Sequence, residues 1–202
     1  MKLYFYPGAC SLAPHIVLRE AGFEFELDQV DLAAKRTEGG EDFTAVNPKG
    51  SVPALRLDNG EILTEVAVIL QYLADLKPGA KLAPPAGSFE RVRLQEWLNY
   101  VATEIHKGQS AVFNPKLPDA WKEVMKEMVS ARFDFLSARL KGAPYLMGGQ
   151  FTIADAYLYT VLNWTTFLGL DLAQWPALKA YSERVASRPT VQAALKAEGL
   201  VT

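Results

Sequence analysis

Cys10 is the only cysteine among 202 residues. It stands where an apolar run, Leu3 to Tyr6, passes through Pro7-Gly8 toward a helix opened by Ser11 and Pro14. A helix start presents unpaired N–H groups and the positive end of the dipole, which favours a thiolate over a thiol, and cysteines so placed titrate at about 3.5–7.5. The same residue also suits the commoner fate of a free cysteine, a small buried hydrophobe. A second set of polar side chains recurs on a later helix, where Asn99, Thr103, His106 and Ser110 follow one another at intervals of 4, 3 and 4. They oppose an apolar stripe of Leu94, Trp97, Leu98, Val101 and Ile105 that is built for packing. This polar face either lines a cleft or meets only water, and it carries little charge for the second role.

Three further positions have chemical potential. A cis bond in Ser51-Val52-Pro53 would turn the Val52 N–H and C=O outward as an edge on which a ligand backbone can pair. Glu65 opens a helix, where an acid complements the dipole or accepts a ligand ammonium. Lys35 and Lys49 are either surface lysines or partners for a ligand carboxylate.

The elements that must carry these groups change type along the chain. Strands are expected at Leu3 to Tyr6, Phe25 to Asp31, Val52 to Leu57 and Glu61 to Leu63, the last two joined by the turn Asp58-Asn59-Gly60, whose residues tolerate positive φ. Helices are expected at Leu12 to Gly22 and Glu65 to Leu76, ended or opened by recognisable signals, with a loop and short helix between Ala33 and Asn47. The right-handed crossover rule makes the first two strands parallel. A Pro- and Gly-rich stretch, Lys77 to Ser88, reads as a linker. Helical periodicity alone follows, at about 88–110, 119–141, 152–167, 175–187 and 190–198, with Thr152-Ile153-Ala154-Asp155 as a variant capping box. The chain thus divides into an α/β domain at 1–78, a linker at 79–87 and an all-α domain at 88–202.

Half the residues are hydrophobic and 22% charged, the profile of a soluble globular protein. No apolar run approaches the roughly 20 residues of a membrane span, and no leader is expected. One cysteine closes no internal disulfide, which fits a reducing, cytoplasmic compartment. Two histidines and one cysteine do not suggest a metal site. Residues 1–78 carry 12 acidic and 7 basic side chains, and the Lys and Arg residues are scattered, which argues against nucleic acid as a partner.

Taken in order, several motifs resemble a family. Asn47-Pro48-Lys49-Gly50-Ser51-Val52-Pro53-Ala54-Leu55, Leu63-Thr64-Glu65, Gln71-Tyr72-Leu73, the Pro-rich linker and Phe151-Thr152-Ile153-Ala154-Asp155 are similar to the cytosolic glutathione transferases. Pro7-Gly8-Ala9-Cys10-Ser11-Leu12-Ala13-Pro14-His15, with Asn99 and Thr103-Glu104-Ile105-His106-Lys107-Gly108, resembles the bacterial beta class. The resemblance spans nearly the whole chain. It implies a thioredoxin-like first domain, a helical second domain, a homodimer, a cis Pro53 and a detoxifying transferase that uses glutathione as co-substrate without a prosthetic group.

By motif, the resemblance implies that Cys10 faces the glutathione sulfur. Val52 would pair with the cysteinyl backbone, Glu65 and the N–H of Val66 would hold the γ-glutamyl end, and Lys35 would approach the glycyl carboxylate. Asn99, Thr103 and His106 would line the cysteine side, and Glu104 would reach across the dimer. Two departures stand out: Phe5 where beta-class relatives often carry tyrosine, and Val66 where many transferases carry serine. Ser11 and His106 are then the expected activating groups. Phe113, Trp164 and Phe167 are candidate walls of a pocket for the electrophile, although aromatics at helical spacing are also ordinary core residues. Two other functions remain open: thiol transfer or reductive dehalogenation with Cys10 as redox centre, and non-catalytic ligand binding on the same fold.

Overall fold

The computed structural model describes all residues, 1–202. Five strands form one sheet: β1 (Lys2–Phe5), β2 (Glu26–Asp31), β3 (Arg36–Thr37), β4 (Ala54–Arg56) and β5 (Ile62–Thr64), in the order β3-β2-β1-β4-β5. As the crossover rule requires, β1 and β2 are parallel, with Leu3 opposite Leu27, while the β1–β4 and β4–β5 pairs are antiparallel. Gly60 takes a φ of 89° in the β4–β5 turn, a conformation that costs glycine nothing. The stretch expected as loop and short helix contains β3 and α2 (Phe43–Val46), which Asp42 caps by accepting a bond from the Thr44 N–H.

Leu3, Tyr4 and Phe5 are buried in succession, because the central strand is covered on both faces. On one face Tyr4, Val30 and Ala54 pack with Phe43, Val46 and Val52. Helices α1 (Leu12–Glu20) and α3 (Val66–Leu76) pack against each other. The expected start of α3 at Glu65 is off by one residue, and the difference matters: Glu65 has a φ of 71° and stands outside the helix.

The last helix corrects the expected domain boundary. The chain divides into Met1–Ala83 plus Arg188–Thr202, and Pro84–Ser187, so residues 188–202 do not belong with the all-α segment at 88–202. Helix α9 (Pro189–Ala197) packs on α1. Three contacts explain this. Arg188 grips the Glu20 carboxylate with two nitrogens at 2.7 and 2.8 Å, the Thr190 hydroxyl donates to the same group, and Glu198 is buried against His15 and Gly8. A bidentate guanidinium–carboxylate pair and a buried carboxylate with two donors outweigh the tendency of a terminal segment to fray.

The second unit contains α4 (Phe89–Tyr100), a π-helical turn (Val101–His106), α5 (Lys107–Ser110), α6 (Asp119–Leu140), α7 (Ile153–Leu162) and α8 (Pro176–Ala186). All ten residues of α7 are buried, as its almost uniformly apolar sequence requires. At its start the Asp155 carboxylate accepts from the Thr152 N–H and hydroxyl at 2.8 and 2.9 Å. It also accepts from the Leu146 N–H and the Tyr181 hydroxyl. The expected continuous helix at 88–110 is instead interrupted by the π turn. Of its apolar stripe Leu94, Leu98, Val101 and Ile105 are buried, whereas Trp97 is partly exposed and packs on Tyr100 and Phe135. The expected helix at 152–167 changes after Leu162 to a tighter 3₁₀ segment, Asn163–Leu168. No helix is long and apolar enough to cross a membrane.

Candidate active site

In the first unit the chain leaves β1 and turns at Gly8, whose φ is 70°, before entering α1. Gly8 N–H donates to Glu198 Oε2 at 2.9 Å, and the Ala9 N–H donates to Tyr6 C=O. These bonds place Cys10 one residue before Ser11, the N-cap of α1. The Cys10 thiol is partly buried and donates to the Val52 carbonyl at 3.3 Å.

Of the two readings left open for Cys10, this environment favours the buried thiol over the thiolate. Burial pushes the Cys10 thiol up to about 12, with Glu65 adding to the rise, and the backbone N–H groups of Cys10 and Ser11 only partly oppose it. A helix start lowers a thiol's pKa when solvent and dipole act together; here desolvation wins. The expected role of Ser11 is corrected. It is fully buried, and its hydroxyl accepts from Tyr6 N–H at 3.2 Å and donates to Tyr6 C=O at 3.3 Å. Both bonds fasten the entry to α1, so the Ser11 hydroxyl is not presented as an activating group. Nor does Tyr4 replace the missing phenol at Phe5, because its buried ring directs the hydroxyl to Glu41 at 3.0 Å.

The Val52–Pro53 bond is cis. The turn before it is organised by buried Asn47, which donates to Ser51 C=O at 2.7 Å and accepts from Lys49 N–H. Lys35, itself at a φ of 55°, donates through Nζ to Gly50 C=O at 2.7 Å. The exposed Glu65 carboxylate meets Lys49 Nζ at 2.5 Å. Beside it Val66 is buried and begins α3, so its N–H has no partner within the helix. Cys10, Val52, Lys35, Lys49, Glu65 and Val66 are therefore linked through one stretch of backbone and its side chains.

In the second unit Asn99 and Thr103 are exposed, and the Thr103 hydroxyl donates to Asn99 C=O. The π turn changes the α-helical spacing on which the polar stripe was drawn. His106 ends that turn with Nδ1 2.6 Å from the Tyr157 hydroxyl. Glu104 meets Arg132 of its own chain through two bonds, at 3.2 and 3.0 Å. Phe113, Trp164 and Phe167 do come together. Phe113 packs edge to face on Trp164 and on Phe167, at 5.3 and 5.1 Å, and Trp164 continues the row to His106 at 4.9 Å. Trp164 is buried while Phe113 and Phe167 are exposed.

Sequence reasoning missed Glu198, Arg132 and Tyr157. Their partners lie 190, 28 and 51 residues away, and no local pattern signals pairs at such separations. It also missed Gln109, which is fully buried with its side-chain amide on Val161 C=O and Oε1 without a partner.

Comparisons with known proteins place the chain in a family. The family described as Glutathione S-transferase, N-terminal domain, matches residues 8–76, and Glutathione S-transferase, C-terminal domain, matches residues 100–189. The second match ends where α9 begins. The chain is 49% identical to Glutathione S-transferase GstA of Escherichia coli O157:H7 over 99% of its own length and all of that protein. It is similar to the solved structure of a sphingomonad glutathione S-transferase complexed with glutathione, at 50% identity, full coverage of both chains and a TM-score of 0.96. A bacterial beta class enzyme of Sphingomonas chungbukensis gives 48% identity, full coverage of both and 0.97. Fold, site loops and likeness along the whole chain together make this protein a member of the glutathione transferase family, in its bacterial beta class.

Proposed function

We propose that the protein transfers the thiolate of glutathione to electrophilic, largely apolar small molecules, acting in the cytoplasm as a homodimer. The observation that carries this reading is the Val52 backbone edge beside the Cys10 thiol, flanked by Lys35 and by Glu65 with the free start of α3. Such a set is complementary to an extended tripeptide with an ammonium at one end and carboxylates at both. Val52 would pair with the cysteinyl backbone, and Glu65 would take the α-ammonium. The Val66 N–H would take the γ-glutamyl carboxylate, and Lys35 the glycyl carboxylate. Asn99, Thr103 and His106 are the proposed polar contacts from the second unit.

In the reaction the glutathione thiol loses its proton to solvent. Its sulfur then attacks the electrophilic carbon, forming a C–S bond while the leaving group departs with the electrons of the broken bond. Neither Phe5 nor Ser11 supplies activation, so the proposed donors to the thiolate are the protonated Cys10 thiol and His106. Preorganised donors favour the anion without reorganising during reaction. The Phe113–Trp164–Phe167 row is the proposed seat of the apolar electrophile. Exposed Phe89 and Val92 on α4 and Met128 and Phe135 on α6 provide apolar area for the dimer.

The raised Cys10 pKa favours this chemistry over the redox alternative, which needs Cys10 as a thiolate in exchange with a disulfide. The test is glutathione titration of the reduced protein, together with its intact mass before and after dithiothreitol and conjugation of 1-chloro-2,4-dinitrobenzene. Saturable binding and conjugation without a covalent adduct are expected. A reducible adduct on Cys10 with thiol transfer and no conjugation would replace this reading with the redox one. Tight binding of apolar compounds without glutathione affinity would leave only a binding protein.

A further inference from the structure

The end of α1, the connection from it to β2 and the start of α9 frame an open groove of about 330 Å³, lined by Arg19, Phe23, Phe25, Pro189, Thr190 and Ala193. All six residues belong to the first unit, and none is among the candidate site residues described above. Phe23 and Phe25 are half-buried, while Pro189 and Ala193 are exposed on α9. The lining is apolar apart from Thr190 and one cation, and it contains no acid.

That cation is fixed in place by the protein. Arg19 Nε donates at 2.9 Å to Nε2 of His15, a fully buried ring whose Nδ1 lies 2.8 Å from Glu198. The guanidinium also stands 5.6 Å from the centre of the Phe25 ring, which meets His15 edge to face at 5.7 Å. With Nε committed, Nη1 and Nη2 of Arg19 have no partner in the protein. These two nitrogens are the end-on fork that matches a carboxylate. Glu20, the next residue, does not fill the fork, because Arg188 and the Thr190 hydroxyl take its carboxylate. Lys77 adds positive potential, with Nζ 4.3 Å from the centre of the Phe23 ring.

We propose that this groove is a binding site for small aromatic carboxylates, the carboxylate on Arg19 Nη1 and Nη2 and the ring against Phe23, Phe25 and the Pro189–Ala193 wall. An inorganic anion would leave the apolar walls wet, and a neutral aromatic would leave the fork unpaired. The bond to His15 holds the fork in advance, which removes part of the ordering cost of binding. The site needs no glutathione and does not depend on the function proposed above. Its volume is at the small end for ligand sites, so a two-ring ligand should bind with a dissociation constant of about 0.1–1 mM.

The test is titration of the reduced, full-length, ¹⁵N-labelled protein with 2-naphthoate, followed by its amide shifts. Saturable shifts are expected at residues 19–25 and 189–193. The neutral analogue, 2-naphthalenemethanol, should bind about tenfold more weakly, the worth of one charge-assisted bond, and Arg19→Gln should weaken naphthoate by a similar factor. Ala193→Glu brings an acid to the exposed wall without touching the Arg19–His15–Glu198 bonds. It should weaken naphthoate at an unchanged unfolding midpoint, and it decides the matter even if Arg19→Gln does not fold. Shifts confined to other residues, equal affinity for the neutral analogue, or undiminished binding in Ala193→Glu would each overturn the proposal. Displacement of naphthoate by equimolar inorganic phosphate would reduce the site to a general anion contact and overturn it as well.

Discussion

Replacing Glu198 by alanine should cost more stability than any other single change near the terminus. The side chain is fully buried, with Oε2 on Gly8 N–H at 2.9 Å and Oε1 2.8 Å from His15 Nδ1. His15 Nε2 accepts from Arg19 Nε at 2.9 Å, so Nδ1 bears the proton donated to Glu198. Alanine removes both acceptors and strands two buried donors. Each bond to a charged acceptor is worth about 1.5–3 kcal/mol. Water entering the vacated space would restore part of that, so the lower end of the sum, about 3–4 kcal/mol, is expected.

Glu198→Gln keeps an oxygen for Gly8 but turns an amide N–H₂ against the His15 N–H, and should lose about 1–3 kcal/mol. Urea unfolding followed by circular dichroism, at one fixed protein concentration because oligomers gain stability with concentration, gives the midpoints. A shift of the alanine variant below about 1 kcal/mol would refute the buried network as the fastener of residues 188–202. A glutamine variant as damaged as alanine would show that charge, and not hydrogen bonding, holds the segment.

Cys10, pushed from 9.0 up to about 12, should resist alkylation. A rise of that size cuts the thiolate fraction about a thousandfold, partly offset by the greater nucleophilicity of a more basic thiolate, so iodoacetamide at pH 7 should react roughly fifty-fold more slowly than with an exposed, unperturbed thiol. An alkylation profile with an inflection below pH 7 would contradict the desolvation argument. Glu65→Ala should raise the glutathione KM about tenfold or more, the worth of one charge-assisted bond, with little change in unfolding midpoint because the side chain is exposed; steady-state kinetics and urea unfolding check the two halves. Asp155 is pushed by burial from 3.8 up to about 6 despite its four donors. The folded protein therefore holds this proton more tightly than the unfolded chain. Its contribution to stability is complete below about pH 3.8 and is lost as pH rises through about 6. In thermal melts wild type should lose stability relative to Asp155→Asn as pH rises across that window, and a parallel pair of curves would show that Asp155 does not titrate there.

The order of elements was legible in the residues because it depends on local causes. Period-two and period-3.6 patterns, the Asp58-Asn59-Gly60 turn and the Thr152 cap each act within a few positions, and the crossover rule supplied the parallel β1–β2 pair. Candidate groups at Cys10, Val52, Glu65 and the Phe113–Trp164–Phe167 row were likewise visible as residue types in sequence order. Their states were not. The ionisation of Cys10 depends on how much solvent the packed loop excludes, and the Ser11 hydroxyl is taken by backbone that only the folded turn brings near. Glu198 joins Gly8 across 190 residues, which moves the last helix from the unit expected for it to the other. Local sequence determined which elements form and what chemistry their residues carry. Tertiary structure decided which of those residues are dry, which are already paired and which remain to meet a ligand, because desolvation and hydrogen-bond partnership are properties of neighbours brought together by folding.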